Sequence, residues 1–178
     1  MTTTELPDAE VLCAELLRQL KARMPRDAAM IGIVTGGAWL AERLHRELRI
    51  ADPLGVLDIS FYRDDFDQKG LHHQVKPSRI PFDVQGRHIV LVDDVLYTGR
   101  TVRAAMNELF DYGRPSKIEL AVLVDRGGRQ LPIAAQYVGG TVSVPEESIL
   151  VLDRSEGRDS GALSLRLSDQ RRPRRSLP

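Results

Sequence analysis

The sequence predicts an α/β protein whose strands lie side by side in a parallel sheet. Short runs of apolar and β-branched residues at 30–34, 89–92 and 118–124 suit strands that are buried on both faces. The first two runs are each followed by a polar, glycine-containing loop and then by a helical pattern. Because ligands of open α/β sheets bind at the carboxyl ends of the strands, function is expected in these loops.

The first helix is predicted from an apolar face that begins after Asp8, a residue suited to cap it, and Pro25 ends it. That face consists of Val11, Leu12, Leu16, Leu17 and Leu20. The pattern then predicts, in chain order, a strand at 30–34, a loop at 35–37, a helix at 39–48, strands at 56–61 and 89–92, a helix at 102–112 closed by Gly113, a strand at 118–124, a loop at 125–132, and short strands at 137–138 and 149–152.

Residues 62–87 form a long polar connection in which Pro77 and Pro81 forbid a regular helix. A connection of this length in a compact domain is typical of a functional lid or of a disordered segment, and residues 71–75 fit a hairpin arm. His72 and His73 are adjacent but have no partnering ligand pattern, so we expect exposed loop residues rather than metal ligands.

The composition changes near Arg154, where Ser, Gly, Asp and Arg become dominant. We expect one domain over residues 1–155 and a polar, largely disordered tail over 156–178 that ends in an Arg-rich stretch. Residues 162–167 fit an edge strand, and disorder is expected beyond Ser168. A solvated tail is favoured over one that binds phosphates.

Composition excludes several classes of protein. The 178 residues carry a formal net charge of zero, so no global basic field favours nucleic acid, while a local basic face stays open. Cys13 is the only cysteine, which rules out a disulfide within the chain and predicts a small packed side chain. We expect a cytoplasmic protein without a membrane partner, because we find no signal peptide and no membrane-spanning apolar run.

The segment around Asp93 and Asp94 carries the strongest chemical signal. Backbone N–H groups of the loop Tyr97-Thr98-Gly99-Arg100-Thr101 can point at one anion, and the dipole of the following helix favours a phosphate there. The two carboxylates can accept hydrogen bonds from a vicinal diol and can lie near a divalent cation held by that diol. Phosphate beside diol indicates a ribose 5-phosphate; the simpler alternative is an ordinary strand, loop and helix with a capping Thr.

This constellation resembles the phosphoribosyl diphosphate (PRPP) signature of type I phosphoribosyltransferases. Its form, Val-Asp-Asp-Val-Leu-Tyr-Thr-Gly-Arg-Thr at 92–101, resembles the bacterial pyrimidine operon regulators with uracil phosphoribosyltransferase activity, the PyrR family. The loops at 35–37, 61–65 and 125–132 also resemble loops of that family, and the similarity extends over roughly residues 5–153.

The resemblance implies a central, mostly parallel sheet with helices on both faces and a small flexible hood at 62–87. It implies that Asp93 and Asp94 hold the ribose hydroxyls and that Arg63 faces the leaving diphosphate. Mg²⁺ would be bridged by the substrate near the two acids, with no direct protein ligand. The implied PRPP-binding residues are Thr35, Gly36, Gly37, Tyr97, Thr98, Gly99, Arg100 and Thr101, and the implied base-binding residues are Asp125, Arg126, Gly127 and Arg129.

The sequence departs from the family pattern at three positions. Gly36 stands where the family has Arg, which removes a charge-assisted contact to the diphosphate. Gly128 and Gln130 stand where the family has His and Glu, and the missing His belongs to the face associated with messenger RNA. These changes weaken an RNA-regulatory interpretation more than an enzymatic one.

Three hypotheses follow. The first is a uracil phosphoribosyltransferase that makes UMP and diphosphate from uracil and PRPP, with pyrimidine-dependent regulation of the pyr operon. The second is a UMP-sensing attenuator that binds the pyr leader mRNA and has little catalytic role. The third is a phosphoribosyltransferase for another nucleobase; a purine enzyme would need an acid to meet N7, and Asp125 is the one nearby candidate. The resemblance also implies a homo-oligomer, a dimer or a tetramer.

Overall fold

The computed structural model describes residues 6–59, 78–156 and 161–169. Their elements in chain order are α1 (Ala9–Arg23), β1 (Ala29–Ile33), α2 (Gly36–Leu48), β2 (Gly55–Leu57), β3 (His88–Leu96), α3 (Arg100–Asp111), β4 (Lys117–Asp125), β5 (Tyr137–Thr141), β6 (Ser148–Arg154) and β7 (Leu163–Asp169).

The first five strands form a parallel sheet in the order β2-β1-β3-β4-β5 within the described residues. The chain runs from β1 outward to β2, and then from β3 outward in the other direction to β4 and β5. The direction in which successive strands are added to the sheet therefore reverses between β1 and β3. The carboxyl ends of these two neighbours form the crevice where such sheets bind ligands.

Helices cover both faces of this sheet, as predicted. On one face α1 and α2 pack on Val90 and Val92 of β3, and on the other α3 packs on Ile89 and Leu91. Gly32 lets α2 approach β1 closely, since a Cβ added there would lie 2.7 Å from the Cα of Ala38. Because α2 follows β1 and α3 follows β3, the amino ends of these two helices approach the same crevice from opposite faces.

Helix α1 begins where the sequence predicts. The Asp8 carboxylate accepts hydrogen bonds from the backbone N–H of Glu10 at 2.7 Å and of Val11 at 3.3 Å. Cys13 is buried in the α1 stripe, and burial raises the pKa of its thiol, as suits a packed side chain. The placement of Val11 on the apolar face was wrong, because its side chain is 65% exposed, outside the buried stripe that contains Leu12 and Leu16.

Two strands differ in length from the prediction. Strand β2 covers residues 55–57 and ends before Asp58, whereas the predicted strand runs from 56 to 61; residues 60 and 61 lie outside the described residues. Strand β3 continues through Asp93 and Asp94 to Leu96, because its pairing with β4 extends to Val95 opposite Val124 and Leu96 opposite Asp125. Asp93 and Asp94 therefore lie in the carboxyl-terminal half of β3 and not in a loop after it.

The connection predicted as a hood is only partly described. Arg63, His72, His73 and the predicted hairpin arm at 71–75 lie outside the described residues. The described chain stops at Ile59 and resumes at Ser78, and these two ends are adjacent. The Asp58 N–H donates to Ser78 Oγ at 2.9 Å, and Val56 and Arg79 exchange two backbone hydrogen bonds of 2.7 and 2.8 Å.

Strands β6 and β7 form an antiparallel pair of their own. Residues 162–167 were predicted as an edge strand, and the observed β7 pairs with β6 instead of extending the central sheet. Leu150, Leu152 and Leu163 of this pair are buried in the core that α1 and α2 cover. The packed chain therefore continues past residue 155, where the change in composition suggested a boundary.

Glu10 joins three elements at this place. Its carboxylate accepts hydrogen bonds from Arg43 Nη1 of α2 at 2.8 Å and from the Leu163 N–H of β7 at 2.8 Å. The hydrogen bond from Arg43 is the largest cause of a lowered Glu10 pKa. The carboxylate thus holds α1, α2 and β7 together while it is ionised.

A second polar cluster lies at the amino edge of the sheet, away from the crevice. Buried Glu119 accepts a hydrogen bond from the Tyr137 hydroxyl at 2.9 Å, and it contacts His88 Nε2 at 3.0 Å and Lys117 Nζ at 2.6 Å. Burial alone would raise the pKa of Glu119. The three partners together lower it by more than burial raises it, so the net shift is downward. Burial and the hydrogen bond to Glu119 raise the pKa of Tyr137 to about 12.

The helices of the described segments are too short or too polar to cross a lipid bilayer.

Candidate functional site

Three of the loops singled out from the sequence meet at the carboxyl edge of the sheet, because β1, β3 and β4 are parallel neighbours. The loop after β3 is bonded to the loop after β4. The Thr98 carbonyl accepts hydrogen bonds from the N–H groups of Gln130 at 3.0 Å and Leu131 at 3.1 Å, and Arg100 Nε donates to Gln130 Oε1 at 3.0 Å. Leu131 belongs to the loop predicted at 125–132, but the sequence analysis gave it no role of its own.

The two carboxylates of β3 have different surroundings. Asp93 is 3% exposed, and its Oδ1 accepts the N–H of Asp94 at 3.0 Å. Asp94 is partly buried and lies against the start of α2, where a Cβ added at Gly36 would stand 2.6 Å from Asp94 Cγ and closer still to Oδ2. The pair therefore combines a buried carboxylate that helps to hold the backbone with a more accessible one beside a helix terminus.

The alternation of β3 changes phase at this acid pair. Val92 packs with the α1 and α2 face, and regular alternation would place Val95 on the opposite face. Val95 instead packs with the same core as Val92, and Leu96 packs with the α3 core. The strand is thus locally irregular at Asp93 and Asp94, and irregular strand ends of this kind commonly re-aim side chains beside a site.

The amino end of α2 is built for close approach. Thr35 is the N-cap residue, the Val34–Thr35 peptide bond is cis, and the helix opens with Gly36 and Gly37, both buried. A Cβ added at Gly37 would lie 2.6 Å from the Val92 carbonyl oxygen, so glycine is needed for α2 to meet β3 here. The helix begins without a carboxylate in its first turn, and its N–H groups and dipole favour an anion.

The amino end of α3 offers a second anion site. Gly99 is its N-cap, with a φ of +89° that favours glycine, and it has no side chain to accept the N–H groups of the first turn. The Arg100 N–H donates to Thr98 Oγ1 at 3.3 Å, and the Arg103 N–H donates to the Gly99 carbonyl at 3.0 Å. Thr98 and Thr101 are partly buried on either side of this turn.

Side chains of the loop after β4 are largely used to hold that loop. One oxygen of Asp125 accepts the Gly127 N–H at 2.9 Å, and the other pairs with Arg129. Arg129 also donates to the carbonyls of Tyr97 at 2.6 Å and Ile133 at 3.0 Å. The structure therefore places Asp125 and Arg129 at the predicted loop, where both side chains make contacts within the protein.

Arg126 is likewise engaged within the protein. Its guanidinium lies over the Tyr97 ring, 4.1 Å from the centroid, and donates to the carbonyls of Ser148 at 2.7 Å and Pro145 at 3.1 Å. Tyr97, which the sequence analysis grouped with the predicted phosphate loop, thus has its ring turned toward the loop that follows β4. The partners at 145 and 148 could not be foreseen, because they come from the distant β5–β6 connection.

In the described segments, no group of three His, Cys, Asp or Glu side chains lies close enough to hold a metal ion. What the crevice does contain is a pair of carboxylates between two helix amino ends that both favour anions. This arrangement suits a polyphosphorylated sugar that carries its own cation.

Comparison with known proteins agrees with this geometry. Residues 3–150 match the family model described as a phosphoribosyl transferase domain. The chain is 51% identical over 164 residues to the bifunctional protein PyrR of Ralstonia nicotianae, covering 90% of this chain and 93% of that one. It is 58% identical over 137 residues to the bifunctional protein PyrR of Nitrosococcus oceani, covering 75% and 77% of the two chains.

Solved structures share the fold at low identity. A hypoxanthine-guanine phosphoribosyltransferase from Bacillus anthracis superimposes with a TM-score of 0.62 and 18% identity over 85% of this chain and 88% of that one. The enzyme of the same name from Leishmania tarentolae, in complex with GMP, gives a TM-score of 0.58 and 19% identity over 85% and 86% of the two chains.

Proposed function

The chain belongs to the phosphoribosyl transferase family, among the bifunctional PyrR proteins, and from this premise we propose that it transfers phosphoribose from PRPP to uracil, giving UMP and diphosphate. The observation that carries the proposal is the acid pair of β3, placed between the amino ends of α2 and α3. Two anion sites flanking a diol site match a ribose with phosphate at one end and diphosphate at the other.

The α3 terminus is the proposed site of the 5-phosphate. Gly99 brings the backbone close, the first-turn N–H groups donate, and the Thr98 and Thr101 hydroxyls lie beside them. Arg100 is exposed at the same turn and adds positive charge. The α2 terminus, Thr35 to Gly37, is the proposed site of the diphosphate, and Arg63 is proposed to face the same group from the hood.

Asp94 and Asp93 are proposed to hold the ribose hydroxyls. Asp94 is the more exposed of the two and lies beside the diphosphate site, while Asp93 is buried and bonded to the Asp94 N–H. The carboxylate oxygens fit a Mg²⁺ that reaches the site on the substrate. Asp93 and Asp94 would lie near such an ion, which would neutralise charge on the leaving group.

In the proposed reaction the bond from ribose C1 to the diphosphate oxygen breaks and the bond from C1 to uracil N1 forms, with loss of the N1 proton. Charge develops as diphosphate leaves, and the N–H groups at the α2 terminus stabilise it. Uracil has two carbonyl acceptors and an N3–H donor, which the backbone of residues 126–131 is suited to read. No side chain of the protein needs to act as a covalent nucleophile.

Regulation by RNA is the second proposed function, and the bifunctional relatives favour it. The proposal is that UMP-bound protein, as a homo-oligomer, binds the pyr leader mRNA in the cytoplasm. Arg126 and Arg129 do not supply a free basic patch, since both are tied to carbonyls of the chain. Binding of a leader transcript, but not of a scrambled one, with affinity that falls steeply with salt would support this function.

The enzymatic proposal is tested by diphosphate release with PRPP, Mg²⁺ and one base at a time: uracil, cytosine, hypoxanthine, guanine or orotate. Turnover with uracil alone is expected. Turnover with a purine instead would replace uracil as the substrate. Failure with every base, together with tight binding of UMP, would leave the regulatory function as the primary one and make leader RNA the next ligand to measure.

A further inference from the structure

Tyr97 lies within the predicted phosphate loop, but its ring contacts residues of the loop that follows β4. One face of the ring carries the Arg126 guanidinium, 4.1 Å from the centroid. At its edge lies Gly128, where an added Cβ would stand 2.9 Å from Tyr97 Cδ2 and closer still to Cε2. The ring is therefore held between two residues of the loop that follows β4.

Arg126 is a fixed support for this ring. Its Nη1 and Nη2 donate to the carbonyls of Ser148 and Pro145, and its backbone N–H donates to the Leu96 carbonyl at 3.1 Å. Among the residues that the structure describes, Arg126 Nε is buried without a hydrogen-bond partner. The stack and the two carbonyl bonds thus fix the guanidinium even though one of its donors is left unused.

Gly128 lies at the edge of the Tyr97 ring and leaves space for it. Its φ of +71° favours glycine, and any side chain would enter the space of the Tyr97 ring. Glycine at 128 therefore leaves room for the Tyr97 ring in the position that it takes here.

The backbone continues the same connection. The Tyr97 carbonyl accepts Arg129 Nη1 at 2.6 Å, and the next carbonyl, that of Thr98, accepts the N–H groups of Gln130 and Leu131. Residues 97 and 98 thus hold the loop from 126 to 131 through a ring and two carbonyls. Loss of the ring would leave the carbonyl bonds without the support that orients them.

We propose that Tyr97 is a positioning residue for the nucleobase: its ring, held between Arg126 and Gly128, fixes the loop at 126–131 and thereby sets the KM for the base rather than for PRPP. The inference rests on the proposed function, because that loop is the proposed reader of uracil. It changes the role expected for Tyr97 from phosphate binding to base specificity.

The test compares Tyr97→Leu, Tyr97→Phe and Gly128→Ala, with Tyr112→Leu as a control at an exposed tyrosine of the α3 terminus. Tyr97→Leu and Gly128→Ala are expected to raise the KM for uracil about ten- to a hundredfold, as expected for a displaced binding group, while the KM for PRPP changes by less than about twofold. Tyr97→Phe keeps the ring and is expected to restore most of the loss. Gly128→Ala reaches the same ring from the other side, so the test does not depend on one variant.

Hydrogen exchange of the amides at 126–131 in the free protein separates this inference from the proposed function. Faster exchange in Tyr97→Leu and Gly128→Ala, but not in Tyr97→Phe, supports the positioning role even if the wild-type protein turns over no base. Unchanged exchange overturns it. So does a rise in the KM for PRPP without one for uracil, or a Tyr97→Phe variant as impaired as Tyr97→Leu.

Discussion

Gly36 and Asp94 compete for the same space: the Cα of Gly36 packs so closely on the Asp94 carboxylate that a Cβ there would stand 2.6 Å from Asp94 Cγ. The absence of a side chain at the start of α2 thus lets the accessible carboxylate of the acid pair lie against the helix terminus. Gly36 therefore has a structural consequence for the proposed ribose site at Asp94 as well as for the proposed diphosphate site at the start of α2.

Gly36→Ala is therefore expected to displace the Asp94 side chain and to lower kcat/KM for PRPP about ten- to a hundredfold, with the fold retained. Steady-state kinetics and thermal unfolding would measure both effects. Gly86→Ala is the matched control, because a Cβ at Gly86 meets nothing within 4 Å. That control should keep its activity and lose only a little stability to its φ of +70°. Equal activity in Gly36→Ala and wild type would contradict the close role of Asp94.

Asp94→Asn keeps the shape of the side chain and removes its charge, so the fold should persist while most turnover is lost. A fall of about a hundredfold or more in kcat is expected for a group that holds the reacting sugar. Asp111→Asn, at an exposed position of α3, serves as the control. Near wild-type kcat/KM in Asp94→Asn would overturn the assignment of the ribose to the acid pair.

Arg129→Lys should destabilise the loop that follows β4, because a lysine cannot reach Asp125 and the carbonyls of Tyr97 and Ile133 together. A loss of about 1–2 kcal/mol in the free energy of unfolding is expected from the unpaired carbonyls. Urea denaturation would measure it, with Arg103→Lys at an exposed site of α3 as the control. An Arg129→Lys protein of unchanged stability with a raised KM for uracil would instead indicate that Arg129 contacts the base directly.

The Glu119 cluster predicts how stability responds to acid. The folded pKa of Glu119 is lowered from 4.5 by Lys117, Tyr137 and His88 against the opposing effect of burial. A carboxyl with a lowered folded pKa contributes stability that is complete above its unfolded pKa and is lost as pH falls through the folded pKa. Glu119→Gln should flatten the part of a measured stability profile in which stability falls as the pH is lowered from 4.5.

Tyr137→Phe provides a finer test of the same cluster. It removes one donor to Glu119, so the folded pKa of Glu119 should lie closer to its unfolded value, and the loss of stability in acid should be smaller and complete at a higher pH than in the wild type. An acid limb that is identical in Tyr137→Phe, Glu119→Gln and the wild type would show that other carboxylates control the response.

The sequence was sufficient for the architecture and for the meeting of the loops at one sheet edge, because parallel strands with loops at their carboxyl ends leave few arrangements. It was insufficient where distant backbone decides. The sequence predicts base binding for Arg126 and Arg129, but it does not show that they donate to the distant carbonyls of Ser148 and Tyr97. Strand β3 ran on through Asp93 and Asp94 because β4 continued to pair with it.

The prediction for Arg63 stays a prediction, since that residue lies outside the described segments. The pairing of β7 with β6 was missed for another reason. Leu163 and Leu165 alternate with polar residues as any edge strand would, and a two-residue period does not say which strand is the partner. What decided it was the apolar surface of α1 and α2, on which this pair packs.

The contact of β7 with α1 also sets an order of events during synthesis. Helix α1 leaves the ribosome early. The Leu163 N–H that donates to Glu10, and the Leu163 side chain that packs in the same core as Leu12, are synthesised more than 150 residues later. Until then part of the α1 and α2 core stays uncovered, and exposed apolar surface of this kind is what chaperones bind. A nascent chain that stops after residue 155 would contain the loops at 35–37, 97–101 and 125–132. Its α1 and α2 core would still lack the cover that β7 provides.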